Sequence, residues 1–243
     1  MRISIGLATY NGEKFVLEQI NSVLNQLGTE DEVIIVDDCS CDHTVELIRG
    51  LQDSRIKLIL NEHNLGHVKS FDKAISLANN QIIFLCDQDD IWLPGRVKLM
   101  YEKLSASDSL LLTSNSIFID ANGKPLEYYI DGVSSSNSSR YFHNILDIFK
   151  GKTNYFGCAM VIDHRLKKII LPFPFYVESH DLWIAMAANL LRSNSHIDQA
   201  TFQRRIHSNN ASVIERNIFR RIFSRVLFFI SLVHLIIRIK ITK

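Results

Sequence analysis

Short runs of consecutive apolar residues alternate with segments of helical period through roughly the first 90 residues, the pattern of βα units wound around a parallel sheet. The runs predict strands at 3–8, 32–36, 56–60 and 81–86. Between them the spacing predicts helices at 13–26, where Val16, Ile20, Val23, Leu24 and Leu27 share a face, and at 44–51 and 68–78. Apolar residues at consecutive rather than alternate positions imply strands buried on both faces, hence an α/β chain with a doubly wound sheet. Beyond this the regularity fades. Pro94-Gly95 opens a helix reaching Leu104, 110–113 reads as a strand, Asn122-Gly123 as a turn and Ser-rich 132–139 as a mobile loop. A strand near 158–162, the Pro-punctuated segment 172–174, a helix at 181–191 and a strand near 200–206 complete an α+β extension of the same domain, residues 1–215.

With 47% hydrophobic and 22% charged residues the chain has the composition of an ordinary globular domain, which excludes disorder. Its 27 Lys+Arg against 26 Asp+Glu remove the electrostatic reason to expect a nucleic-acid partner. That balance conceals an asymmetry. Residues 216–243 carry seven basic side chains and no acid, leaving residues 1–215 with 20 basic and 26 acidic ones, a net of −6. Within this tail, residues 226–237 form a 12-residue apolar stretch bounded by Arg225 and Arg238. As a helix it covers ~18 Å against a ~30 Å hydrocarbon core, so it is expected to lie in the headgroup region rather than to span. Packing on the domain or in a dimer interface is the alternative. Four irregularly spaced cysteines point to a reducing compartment, and the apolar N-terminus reads as a first strand, so a cytoplasmic protein is expected.

In open parallel sheets ligands bind beyond the carboxyl ends of the strands. Three predicted strands end there in polar clusters: Thr9-Tyr10-Asn11-Gly12, Asp37-Asp38-Cys39-Ser40 and Asp87-Gln88-Asp89-Asp90. Carboxylates crowded on one rim raise one another's pKa and cost stability unless a cation or a donor-rich ligand is present. Helix capping accounts for a single acid such as Asp42, but not for Asp87 and Asp89 together. Asp-x-Asp behind a buried strand suits Mg²⁺ or Mn²⁺, which take oxygen ligands and bridge a diphosphate. The chain lacks a Gly-x-x-x-x-Gly-Lys-Ser/Thr loop and has no Gly-x-Gly-x-x-Gly after its first strand, so P-loop and dinucleotide readings lose their parts. Cys39, Cys41 and His43 offer soft ligands without a fourth for tetrahedral zinc. A phospho-acceptor receiver domain ends after ~120 residues, whereas this chain continues. A nucleotidyltransferase needs an early Gly-rich loop followed by Arg and Lys, also absent here.

Thr9-Tyr10-Asn11-Gly12, Val36-Asp37-Asp38-Cys39-Ser40, Asn61-Glu62-His63-Asn64-Leu65-Gly66 and Asp87-Gln88-Asp89-Asp90-Ile91-Trp92 stand in the order and spacing of family 2 glycosyltransferases. Residues 2–212 resemble that family, in the branch that includes bacterial rhamnosyltransferases and other cell-surface polysaccharide glycosyltransferases. The resemblance implies a GT-A fold: a mostly parallel sheet flanked by helices, with an α+β acceptor-side extension and a C-terminal helix. It implies a metal-dependent, inverting hexosyltransferase that uses Mg²⁺ or Mn²⁺ to move a sugar from a UDP- or dTDP-sugar to a glycan or lipid-linked acceptor. A catalytically inactive, nucleotide-binding scaffold of a polysaccharide assembly complex is the alternative. By the resemblance Thr9 and Asp38 would meet the nucleobase, Asp87 the ribose and Asp89 the metal, with Tyr10 also among the donor-binding residues. Glu178-Ser179-His180-Asp181-Leu182-Trp183 would supply the base, Asp181 first and His180 next. Residues 203–212 resemble the family's Tyr-Arg-x-His-x-x-Asn-x-Ser segment, which assigns Arg205 to the diphosphate and His207 to the metal and leaves Arg204 where Tyr is common. Gly157-Cys158 would line the acceptor side. The expected location is the cytoplasmic face of the inner membrane, with the tail, residues 216–243, as a peripheral membrane contact; association with further copies stays open.

Overall fold

The first half folds as its apolar pattern dictates. β1 (Ile3–Thr9), α1 (Val16–Leu24), β2 (Glu32–Asp37), α2 (Thr44–Gly50), β3 (Ile56–Leu60), α3 (His67–Leu77) and β4 (Ile82–Cys86) follow in order. The four strands run parallel, β1 lying between β2 and β4. Every residue of β2 and β4 is buried. Alternate side chains go to opposite faces: Val33, Ile35, Ile82 and Phe84 pack with α1, while Ile34, Val36, Ile83 and Leu85 pack with α3. Gly6 lies beneath α3, where an added Cβ would stand 3.4 Å from that of Ala74, so its missing side chain lets the helix approach. α1 starts at Val16 rather than residue 13, because the amides of Phe15 and Val16 both turn back onto the Gly12 carbonyl at 3.0 Å.

The structure, a computed structural model, describes residues 2–127, 132–152, 155–207 and 218–242, in the last stretch with side chains from Ile222 onward. The predicted boundary at 215/216 and the segment Ser208–Ser212 fall outside them. The second half contains β5 (Ile91–Trp92), α4 (Arg96–Ser107), β6 (Leu111–Ile119), α5 (Tyr141–Lys150), β7 (Met160–Asp163), α6 (Lys167–Ile170), α7 (His180–Leu190), β8 (Asn194–Arg205) and α8 (Ile218–Thr242). All strands join one sheet in the order β3-β2-β1-β4-β7-β6-β8-β5. β7 is antiparallel to both neighbours, β6 and β8 are parallel, and β5 is antiparallel to β8.

Three expectations change here. The strands expected at 110–113 and 200–206 extend to nine and twelve residues, because β6 and β8 pair along nearly their whole length. α5 is not among the predicted helices, although its apolar residues keep a helical period; its buried face is Asn144, Ile145 and Ile148, with Asn144 donating to Asn189 Oδ1 at 2.9 Å. The Ser-rich stretch is a built turn rather than a mobile loop. Residues Ser135–Asn137 form a 3₁₀ turn whose Ser135 amide donates to Asp198 at 3.0 Å.

The C-terminal helix is also longer than its apolar stretch predicts, since Arg225 and Arg238 lie within it and do not end it. Its segment Ile222–Thr242 has a mean hydropathy of 2.0 and is long and apolar enough to cross a membrane by length and composition. Yet one face is docked on the domain, with Leu235 fully buried and Ile239 nearly so. The opposite face leaves Ile222, Val226, Phe229, Val233, Ile236 and Ile237 exposed.

Candidate active site

The loops after β1 and β2 are knitted into one wall. The Thr9 hydroxyl donates to Asp37 Oδ2 at 2.8 Å, and Ser40 donates to the same carboxylate from its amide (2.9 Å) and hydroxyl (2.6 Å). Asn11 closes the wall, its amide donating to Ser40 Oγ and its Oδ1 accepting from the Cys41 amide, both at 2.9 Å. The Thr9 side chain is thus buried within the wall, its hydroxyl engaged by Asp37. Asp38 is 3% exposed and accepts from Asn61 Nδ2 at 2.9 Å and from the amides of Leu65 and Gly66 at 2.8 Å. A carboxylate offers about four acceptor positions, so one, on Oδ2, is left for a ligand. Tyr10 stays at the surface, its N–H and C=O gripped by the Gln88 side chain at 2.9 and 3.0 Å. Gln88 also explains Gly12, where a Cβ would sit 2.3 Å from Gln88 Oε1. Asp42 caps α2, accepting from the Thr44 amide at 3.0 Å.

Beyond β4 the buried Asp90 is only half satisfied. Asp90 is buried, and its Oδ1 accepts from the Arg205 amide at 3.1 Å while its Oδ2 has no partner among the described residues. Asp87, Asp90 and Cys158 bring one ligand atom each within 4.8 Å of one another. Burial pushes the Asp87 carboxyl up to about 6, with Asp89 adding to the push and the Arg204 cation opposing it. Burial, Asp89 and Asp87 raise Asp90 well above the carboxylate range. The Cys158 thiol is also raised by burial, so it stays protonated and the cluster offers oxygens rather than a thiolate.

Pairing of β5 with β8, Ile91 opposite Gln203 and Trp92 opposite Phe202, carries the end of β8 alongside this turn. His207 Nε2 thereby stands 2.8 Å from Asp89 Oδ2, its ring against Phe15 at 5.0 Å. Two carboxylate-bearing residues and an imidazole, beside a buried carboxylate oxygen lacking a donor, fit a hard divalent cation. Arg205 is held within the protein. Its guanidinium is buried and donates to Glu18 Oε2 (2.5 Å), the Asp89 carbonyl (2.9 Å) and the carbonyls of Asp120 and Ala121 (3.4 and 3.2 Å). Those bonds fix the β4–β5 turn to β8. Its neighbour Arg204 points to the other face of β8, stacks on Phe156 at 3.8 Å and acts on Asp87 and Asp90. Register with the family singles out Arg205; strand alternation distinguishes the two only once the ends of β8 are known.

On the remaining side α7 lifts Asp181 in its first turn, where Oδ1 accepts from the Leu182 amide at 2.7 Å and from the Ser179 hydroxyl. The Asp181 charge contributes, as the smallest cause, to the upward shift of Asp87. His180, the second candidate base, faces the interior. It is buried, stacks on Phe71 at 4.0 Å, and neither ring nitrogen has a partner among the described residues. Burial lowers it to about 4, leaving a neutral, sealed imidazole. Gly157 makes room for that ring, since a Cβ there would lie 2.4 Å from His180 Nε2.

Residues 4–169 match the family described as Glycosyl transferase family 2. The Escherichia coli protein UDP-Glc:alpha-D-GlcNAc-diphosphoundecaprenol beta-1,3-glucosyltransferase WfgD is 27% identical over 185 residues, which are 76% of this chain and 69% of that protein. This chain spans 65%, 36% and 40% of the lengths of three further relatives. S. aureus TarS 1-349 in complex with UDP-GlcNAc has a TM-score of 0.71 at 21% identity, over 98% of this chain and 72% of that one. Mannosyltransferase PcManGT from Pyrobaculum calidifontis, in complex with GDP-Man and Mn²⁺, has a TM-score of 0.64 at 15% identity, over 98% and 73%. These likenesses are of fold, and the fold is GT-A.

Proposed function

Because the chain belongs to glycosyl transferase family 2, we propose that it moves a sugar, with inversion, from a uridine or deoxythymidine diphosphate to a hydroxyl of a lipid-linked glycan in cell-surface polysaccharide synthesis. The observation that carries this reading is the contact of His207, beyond β8, with Asp89 in the acidic turn after β4, and it is supported by Asp181 in the first turn of α7, whose charge acts on Asp87. The donor class is supported by UDP-GlcNAc in the TarS complex, and the acceptor class by the GlcNAc-diphosphoundecaprenol in the name of WfgD.

In this reading Asp38 Oδ2 accepts from the N3–H of the pyrimidine, beside the backbone that Gln88 holds at Tyr10. Asp89 and His207 would hold Mg²⁺ or Mn²⁺, which offsets charge on the departing diphosphate as a Lewis acid. Arg204 takes the diphosphate role that family register gives to Arg205, since its side chain lies on the acid side of β8. Asp181 accepts the proton of the acceptor hydroxyl while that oxygen bonds the anomeric carbon from the face opposite the leaving group. The bond between the anomeric carbon and the diphosphate oxygen breaks in the same passage, and the nucleoside diphosphate leaves with its electron pair.

The outer face of α8 supplies the place of work. From Ile222 to Ile241 its exposed positions are large and apolar apart from Lys240, and no Asp or Glu occurs between Ile218 and Lys243. An apolar arc with basic ends, on a helix whose other side is docked, suits lying in the headgroup layer of an anionic membrane at the cytoplasmic face. A panel of UDP-, dTDP- and GDP-sugars with Mn²⁺, read by nucleotide release and by transfer to short-chain GlcNAc-diphosphate lipids, tests the reaction. Nucleotide binding without transfer or donor hydrolysis across the panel points to the scaffold instead.

A further inference from the structure

α6 is a single turn, and the last carbonyls of such a helix lack intrahelical donors. They are met from the C-terminal helix. Arg238 donates through Nη1 to the carbonyls of Ile169 (3.2 Å) and Ile170 (3.3 Å) and through Nη2 to that of Pro172 (2.8 Å). The same guanidinium lies 5.5 Å from the Trp183 ring and is propped by His234, whose Nε2 accepts from Arg238 Nε at 3.0 Å. Trp183 is fixed from its other end, its indole N–H donating to the Ile170 carbonyl at 3.0 Å. His234 meets the Trp183 ring edge-on at 5.8 Å and hydrogen-bonds Tyr176. Farther along, Ser224 donates to Glu178 at 2.8 Å. The bonded residues therefore bracket Asp181 on both sides, at Tyr176 and Glu178 before it and at Trp183 after it.

We propose that the inner face of α8 is a positioning element of the acceptor site, with Arg238 fastening the α6–α7 segment so that Asp181 is held against the cleft. The inference rests on the reading of Asp181 as the acceptor-side base. It gives α8 two jobs on two faces: the outer arc meets lipid, and the inner arc sets the residue that must meet a lipid-borne hydroxyl. A small displacement of a base is costly because the reacting atoms need near-contact geometry.

The test compares full-length wild type, R238Q and R238K by amide hydrogen exchange, UDP affinity and sugar transfer to the short-chain GlcNAc-diphosphate lipid. For R238Q the expected result is exchange in residues 171–183 faster by about ten-fold with β1–β4 unchanged, and UDP affinity within about two-fold of wild type. Transfer turnover is expected to fall by about ten-fold or more, with donor KM steady. R238K, which retains a charged donor, is expected to recover most of both changes. Wild-type exchange in 171–183 in R238Q overturns the clamp, as does a loss of turnover matched by an equal loss of UDP affinity. If R238Q does not fold, H234A removes the Tyr176 bond and the prop under Arg238 and carries the same expectations. A wild type that transfers no sugar sinks the glycosyltransferase reading, while exchange still judges the clamp.

Discussion

At the amino ends of β1, β2 and β4, every acid has donors matched to it. Asp31 accepts from the amides of Ile3 (2.8 Å) and Gly28 (2.7 Å). Glu32 accepts from Ser4 Oγ (2.6 Å), Lys57 Nζ (2.6 Å) and the amide and side chain of Asn79 (2.7 and 3.1 Å). Burial pushes Glu32 up, but those bonds overcome it and hold the carboxyl at about 2. At the carboxyl end of β4 the balance is reversed: Asp87 rises to about 6 and Asp90 higher still. One sheet thus ends in acids that stabilise it and in acids that cost it stability. The difference teaches where to look for a ligand, because strain persists where something absent from the free chain relieves it.

The largest expected effect lies at the starved end. Asp181→Asn keeps the acceptor for the Leu182 amide but cannot take a proton, so transfer should fall by about 10²-fold or more with UDP affinity and folding unchanged. Near-wild-type turnover would place the base elsewhere. At the saturated end the expected loss is of stability: Glu32→Gln strands Lys57 and should cost ~2 kcal/mol at pH 7, read by urea unfolding. Its pH dependence has a definite sign. The folded carboxyl titrates below the unfolded one, so the stabilisation is present above about pH 4.5 and is lost as pH falls toward about 2. Equal unfolding midpoints for E32Q and wild type at pH 7 would break the contrast between the two rims.

Much of this contrast is legible in the amino-acid sequence. Consecutive apolar residues mark the parallel strands, and the acids at 37–38 and 87–90 stand at their ends by position alone. Which acids are engaged is not legible, because their partners come from far along the chain: Asp37 from Thr9, Asp38 from the 61–66 loop, Asp89 from His207. These contacts span 28, 23 and 118 residues and are decided by how the strands pair, of which local periodicity carries no trace. Arg204 and Arg205 show the same limit at the scale of one residue, since a single step along β8 moves a side chain from one face to the other. Arg204→Gln should weaken UDP by about ten-fold while leaving uridine, which has no phosphate, unaffected. An unchanged ratio of the two affinities would return the diphosphate to other donors.

The smallest effect carries the opposite sign to most substitutions. The folded Asp87 carboxyl holds its proton to about pH 6, above the ordinary 3.8 of an unfolded chain, so folding binds this proton more tightly. Its cost to stability is absent below that lower value, builds as pH rises between the two and is complete above about 6. Asp87→Asn removes the charge and retains the shape, and should therefore stabilise the free chain at pH 7.5 by about 1 kcal/mol, a fraction of the full shift because solvent and Arg204 already offset part of the charge. That corresponds to roughly 2–4 °C in Tm for a domain of this size. The gain should vanish below about pH 3, where wild type is protonated in both states. Adding Mn²⁺ and UDP at pH 7.5 should reverse the order, with wild type gaining more than the variant. A variant less stable than wild type at pH 7.5 without ligand would mean that Asp87 is a structural acid like Glu32, and the two rims would no longer differ in kind.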